Sequence, residues 1–185
     1  MNKDIKDKIQ SIPIWKNDIS IKNLDGGMTN QNFLVQENNV KYVVRLGDDI
    51  PEHLISRSNE LIVSKAAANA GIGPKVIYQS NSILVLDYIE SITLSAEGVR
   101  KNIKSIIPII KNIHNEIPKN LYGQSLIFWV FHVIRNYAKF LKDNQSTHIK
   151  ILSDLISKSE LLEKNSAPYE IVFCHNDLLP ANFLD

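Results

Sequence analysis

The apolar and polar positions of the chain change rhythm near residue 90. Residues 19–24 alternate as a half-buried strand does, and Asp25-Gly26-Gly27-Met28-Thr29-Asn30 reads as a turn. Residues 32–36 and 41–46 are β-rich runs joined by the hairpin signal Glu37-Asn38-Asn39. Residues 57–70 then predict a helix, with Leu61, Ile62, Lys65, Ala66 and Ala70 at helical spacing, and Gly71-Ile72-Gly73-Pro74 ends it. Two further strands follow over 75–79 and 82–86, with Asn81 in the turn between them. The expected product is a small, mainly antiparallel sheet carrying one inserted helix.

Past Asp87-Tyr88-Ile89-Glu90 the period becomes helical. Ile103, Ile106, Ile107, Ile110 and Ile113 form one stripe, with Pro108 expected to kink it because proline removes a helix hydrogen bond. Phe128, Phe131, Ile134, Tyr137, Phe140 and Leu141 form a second. Ile151, Leu152, Leu155, Ile156 and Leu162 form a third, and all three are expected to face a core. A short buried strand over 171–174 is expected to deliver the segment from His175 onward. The pattern therefore predicts an α+β chain of two lobes: a β lobe over residues 1–87, a hinge at 88–90, and a mainly helical lobe over 91–185.

Composition narrows the function classes. Hydrophobic residues make up 44% of the 185 and charged residues 22%, as in an ordinary folded protein. With 21 Lys+Arg against 20 Asp+Glu, the chain lacks the basic surplus of a sequence-independent nucleic-acid binder, and no nucleic-acid partner is expected. The single cysteine, Cys174, excludes an internal disulfide and a zinc site built on several thiolates. On an extended strand Cys174 and His175 would point to opposite faces, so a thiol nucleophile with its base is disfavoured and a buried structural cysteine is expected. The N-terminus alternates charges, and the best apolar run, 127–134, contains His132 and falls well short of the roughly 20 residues of a membrane span. A soluble, cytoplasmic protein without membrane insertion is expected.

The candidate chemistry lies at the end of the chain. His175-Asn176-Asp177-Leu178-Leu179-Pro180-Ala181-Asn182 has the spacing H-x-D-x-x-x-x-N of a kinase catalytic loop. In such a loop Asp177 would accept the proton of a substrate hydroxyl, Asn182 would ligate Mg²⁺, and His175 would brace the turn. Upstream, Gly26 and Gly27 would let backbone N–H groups approach phosphate oxygens, with Thr29 and Asn30 as side-chain donors. Arg45, at the end of the third strand, would face the phosphates of ATP, oriented by Glu60 fifteen residues later on the helix. The adenine edge would meet backbone groups of Asp87 and Ile89 at the hinge.

With these residues in place, the chain resembles the choline/ethanolamine kinases of the aminoglycoside phosphotransferase superfamily, whose fold is protein-kinase-like. Residues 26–33 are similar to that family's G-G-x-T-N-x-x-[FY] opening, and residues 42–46 to its third strand, where Arg commonly replaces Lys. Arg57-Ser58-Asn59-Glu60 is similar to its helix start. His175 to Leu184 resembles its H-N-D-L-L-P-A-N-[FIY] loop, whereas aminoglycoside-modifying relatives more often read H-G-D. The resemblance implies an ATP- and Mg²⁺-dependent kinase with choline or ethanolamine as acceptor, with thiamine and aminoglycoside kinases as alternatives. It also implies an I-D-W-E-type strand beyond the loop, carrying a second metal-binding Asp. The chain lacks that segment, so a C-terminally truncated member with an incomplete helical lobe is expected. The competing expectation is a non-catalytic, nucleotide-binding pseudokinase or interaction fragment.

Overall fold

The computed structural model describes residues 2–24 and 30–185, which cluster into two compact units. The first unit comprises 1–49, 56–124 and 173–185, and the second 50–55 and 125–172.

The first unit opens with helix α1 (Lys3–Gln10), capped by Asn2, whose side chain accepts the Asp4 N–H. Five strands follow: β1 (Ile19–Leu24), β2 (Gln31–Glu37), β3 (Val40–Leu46), β4 (Val76–Ser80) and β5 (Ile83–Asp87). They form one antiparallel sheet in the order β1-β2-β3-β5-β4. Asn38 turns the β2–β3 hairpin at φ 53°, a left-handed conformation that asparagine tolerates. Alternation along β3 sorts its side chains. Val44 and Leu46 are buried with Phe33, Val35, Val85 and Ile9 of α1, while Arg45 projects to the other face. Trp15 closes this core, its ring edge-on to Tyr42 at 5.4 Å and its indole N–H donating to the Ile9 carbonyl at 2.7 Å.

On the face that Arg45 shares lies α2 (Arg57–Asn69), N-capped by Ser56. Its Ala66 packs with Ile113 and Ile117 in a second cluster that also takes in Ile72, Leu121 and Phe173. Ile113 belongs to α4 (Ile103–Glu116), which follows the short α3 (Ala96–Lys101) and runs on through Pro108. Of the predicted α4 stripe, Ile106 and Ile113 are buried and Ile103 and Ile107 are exposed.

The strand expected over 171–174 does not form. Its residues have β propensity but no hydrogen-bonded partner strand, and propensity without pairing does not make a strand. Ile171 is 81% exposed, and Cys174 is exposed rather than buried, so only Phe173 is anchored in a core.

The second unit holds a 3-10 turn at Pro51–His53 with α5 (Val130–Asp143) and α6 (Ile149–Asn165). His53 Nδ1 lies 2.8 Å from the Tyr137 hydroxyl. Phe131, Ala138 and Leu152 are buried, but Phe128, Phe140, Ile151, Leu155 and Leu162 are exposed, contrary to the expected core-facing stripes. Two helices bury only what lies between them, and these stripes are wider than that seam.

Glu163 ties this unit together. Its carboxylate accepts from Arg135 Nη1 at 2.6 Å and from the Trp129 indole at 2.8 Å. The Arg135 guanidinium first, and then the indole N–H, hold the Glu163 carboxyl below its ordinary value. A carboxyl depressed in the folded state stabilises it above the unfolded value, and this contribution fades as pH falls through the folded value. Acidification below the usual glutamate range is therefore expected to release Trp129. In a Trp15→Phe background this would appear as a red shift of Trp129 fluorescence. Adding Glu163→Gln should abolish that acid transition; its persistence in the double variant would exclude Glu163 as the cause.

Candidate active site

Two groups of predicted site residues take shape, each from elements of the first unit. The first starts on β3. Arg45 lies opposite Asn32 of β2 in the antiparallel register, and its Nε donates to the Asn32 side chain at 3.3 Å. Its Nη1 donates to Glu60 Oε1 at 2.6 Å, so the strand cation and the helix carboxylate are an ion pair. Glu60 lies in the first turn of α2, where the helix dipole favours a negative charge. Asn30 stands at the entry to β2, with its Oδ1 buried and without a hydrogen-bond partner among the described residues. Gly26, Gly27 and Thr29 lie outside the described residues.

Sequence reasoning missed one member of this group, Arg57. Its Nη1 donates to Glu60 Oε2 at 2.8 Å, so one carboxylate serves two guanidinium groups. The signal was available, because residues three apart on a helix are neighbours.

The second group is the loop at 175–182. Asn176 has φ 62°, in the left-handed region that most side chains avoid and that asparagine and glycine adopt most readily. This reverses the chain between His175 and Asp177, whose backbone N–H donates to His175 Nδ1 at 3.3 Å. A 3-10 turn over Pro180–Asn182 then folds Asn182 back. Its Nδ2 donates to both the Asp177 carbonyl and Asp177 Oδ2, each at 2.9 Å. The loop is moored beyond Asn182 by paired backbone bonds between Asp185 and Ile92 (2.8 and 3.0 Å) and by the Leu94 N–H on the Phe183 carbonyl (2.9 Å).

Asn176→Gly is expected to leave thermal stability nearly unchanged. Asn176→Val should lower it by about 1–2 kcal/mol, the cost of a left-handed β-branched residue. Melting curves of the two variants decide this; equal melting temperatures would mean that the turn does not depend on the left-handed residue.

Asp87 and Ile89 lie where the sheet ends. Asp87 is the last residue of β5 and donates its N–H to the Lys75 carbonyl at 3.0 Å, while the Ile89 carbonyl accepts from the Ser91 hydroxyl. Lys41 spans this stretch. Its ammonium is 2.8 Å from the Glu90 carboxylate, which raises its pKa, and 5.3 Å from the Tyr88 ring centroid.

Among the described residues no three His, Cys, Asp or Glu gather as a metal site, and no helix is long and apolar enough to cross a membrane. With Nδ2 committed to Asp177, the atom of the Asn182 side chain that remains for a metal is Oδ1.

A family model described as choline/ethanolamine kinase matches residues 21–185. Probable ethanolamine kinase A of Dictyostelium discoideum is 29% identical over 199 aligned positions, which cover 94% of this chain and 55% of that protein. The solved structure of choline kinase LicA from Streptococcus pneumoniae has a TM-score of 0.73 and 29% identity, covering 99% of this chain and 63% of that one. A structure of LicA in complex with AMP matches with the same score and identity over 100% of this chain and 64% of that one. The antiparallel five-stranded sheet with its helices is thus a kinase-like fold. The chain spans about half the length of the curated relatives it matches.

Proposed function

Because the chain belongs to the choline/ethanolamine kinase family, we propose that the protein transfers the γ-phosphate of ATP to the hydroxyl of choline or ethanolamine, in a cytoplasmic setting. The observation that carries this reading is the pair of hydrogen bonds from Asn182 Nδ2 to the Asp177 carbonyl and Oδ2. It fixes the carboxylate through Oδ2 and leaves Oδ1 to receive the proton of an alcohol. A base held this way suits general-base catalysis, which depends on hydrogen-bond reach before all else.

Asn182 Oδ1 is a hard oxygen of the kind Mg²⁺ takes alongside substrate phosphates, and with Asn182 as ligand the ion would neutralise phosphate charge. Arg45, aligned by Glu60, supplies fixed positive charge to the same phosphates. Asn30 and the loop before it would cover them, and the backbone of Asp87 and Ile89 would meet the adenine edge. LicA, one of the matched structures, is in complex with AMP, which supports nucleotide recognition on this fold.

The test is product identification by ³¹P NMR after incubating the protein with Mg·ATP and, separately, choline, ethanolamine, thiamine or spectinomycin. Phosphorylated choline or ethanolamine as the dominant product supports the reading. A dominant phosphorylated thiamine or spectinomycin would replace the acceptor class. Nucleotide binding without any phosphorylated product would assign the chain a nucleotide-binding role without catalysis.

A further inference from the structure

The Arg45–Glu60 pair is in fact a triad. Glu60 gives Oε1 to Arg45 and Oε2 to Arg57, so each guanidinium holds one oxygen and the three side chains together carry one net positive charge. Arg57 is the better anchored of the two cations. Its Nε donates to the Asp48 carbonyl at 2.9 Å and its backbone N–H to the Asp49 carboxylate at 2.6 Å. Its side chain is 12% exposed, against 32% for Arg45.

Gly47 shows how closely Arg57 is fitted. A Cβ at Gly47 would lie 2.6 Å from Arg57 Nη2 and 2.7 Å from Asn30 Oδ1, nearer than a Cβ approaches non-bonded atoms. Arg57 therefore packs against the backbone beside Asn30 as well as against Glu60. With Nε on the Asp48 carbonyl and Nη1 on Glu60, Arg57 is placed to act on Arg45 through the carboxylate they share.

We infer that Arg57 is a positioning residue that keeps Arg45 charged towards the nucleotide by withholding one oxygen of Glu60. Without Arg57, both Glu60 oxygens are available to close on Arg45 as a bidentate fork, the strongest arrangement the two can make. Arg45 would then be neutralised where the phosphates need it. This inference rests on the proposed kinase reading, since it concerns the affinity of that site for ATP.

The experiment is calorimetric titration of Mg·ATP into the full chain as wild type, Arg57→Gln, Arg57→Lys and the double variant Arg57→Gln/Glu60→Gln, with thermal melts of each. Arg57→Gln is expected to weaken Mg·ATP binding about tenfold, the worth of one charge-assisted contact. Arg57→Lys, which keeps a cation for Oε2, should lose about threefold or less. The double variant should recover most of the loss, because a neutral amide at position 60 can still accept from Arg45 but cannot neutralise it. A purely structural Arg57 would give no such recovery. Unchanged affinity in Arg57→Gln, or a double variant as weak as Arg57→Gln, overturns the inference and leaves the kinase reading intact. If Arg57→Gln fails to fold, Arg57→Lys decides: a loss of about threefold or less upholds the inference, and a loss of about tenfold overturns it. A wild-type chain that binds no Mg·ATP overturns the kinase reading itself, and the inference falls with it.

Discussion

Asp177→Asn is expected to lower the turnover of alcohol phosphorylation by about 10²- to 10⁴-fold, the usual contribution of a positioned general base. The loop geometry explains why so conservative a change should cost so much. Asn182 Nδ2 donates to Asp177 Oδ2 at 2.9 Å, which leaves Oδ1 for the proposed role of proton acceptor. An asparagine at 177 must present its amide NH₂ either to Asn182, donor against donor, or to the substrate hydroxyl, where it cannot take a proton. Affinity for Mg·ATP should change by less than about threefold, because the cation proposed to face the phosphates, Arg45, comes from β3 and not from this loop. Steady-state kinetics with choline or ethanolamine would separate the two quantities. A variant that keeps more than a tenth of wild-type turnover would remove Asp177 from the chemistry.

Loss of the strand cation should give the opposite signature. Arg45→Met is expected to raise the KM for ATP by about 10- to 100-fold, since a charge-assisted phosphate contact is roughly twice as strong as a neutral one and Arg45 would make it from a rigid strand. Its melting temperature should hold, because Glu60 keeps Arg57 as a partner at 2.8 Å. Glu60→Ala differs in kind. It leaves two guanidinium groups side by side without their shared counter-ion, and stability should fall by about 2 kcal/mol, discounted for solvent because Arg45 retains 32% of its side-chain exposure. Thermal melts and ATP-dependent kinetics on both variants check the contrast. Equal melting losses in the two would mean that Glu60 is not the hub of the triad.

Much of this arrangement was readable in the residues, for physical reasons that differ from element to element. The sheet strands were placed to within one residue at either end, since β-branched runs between Asn and Gly turns leave little freedom. Arg57 as the first residue of α2 followed from the helical spacing behind it. Helix α1 was not seen, because its apolar positions are only Ile5 and Ile9 within a charged stretch, and Asn2 as cap was the one local cue. The segment 171–174 misled for the converse reason. Its composition is that of a buried strand, but strand formation depends on a partner elsewhere in the chain, which local pattern does not encode.

The candidate site divides in the same way. The spacing of Arg45 and Glu60 announced an ion pair because strand, turn and helix lengths bring them together. The second claim on Glu60, by Arg57, went unread although both residues lie in one helical turn. The bond from Asn182 back to Asp177 depends on two backbone features, the left-handed Asn176 and the 3-10 turn at Pro180, and only together do they bring the ends of the loop into contact.

Acceptor-dependent phosphoryl transfer can be read directly as ADP release from Mg·ATP in the presence and absence of choline or ethanolamine. Release is expected to rise with alcohol concentration to saturation and to stay near background without it. Release that is independent of the alcohol, or absent with both acceptors, would refute phosphoryl transfer to these alcohols.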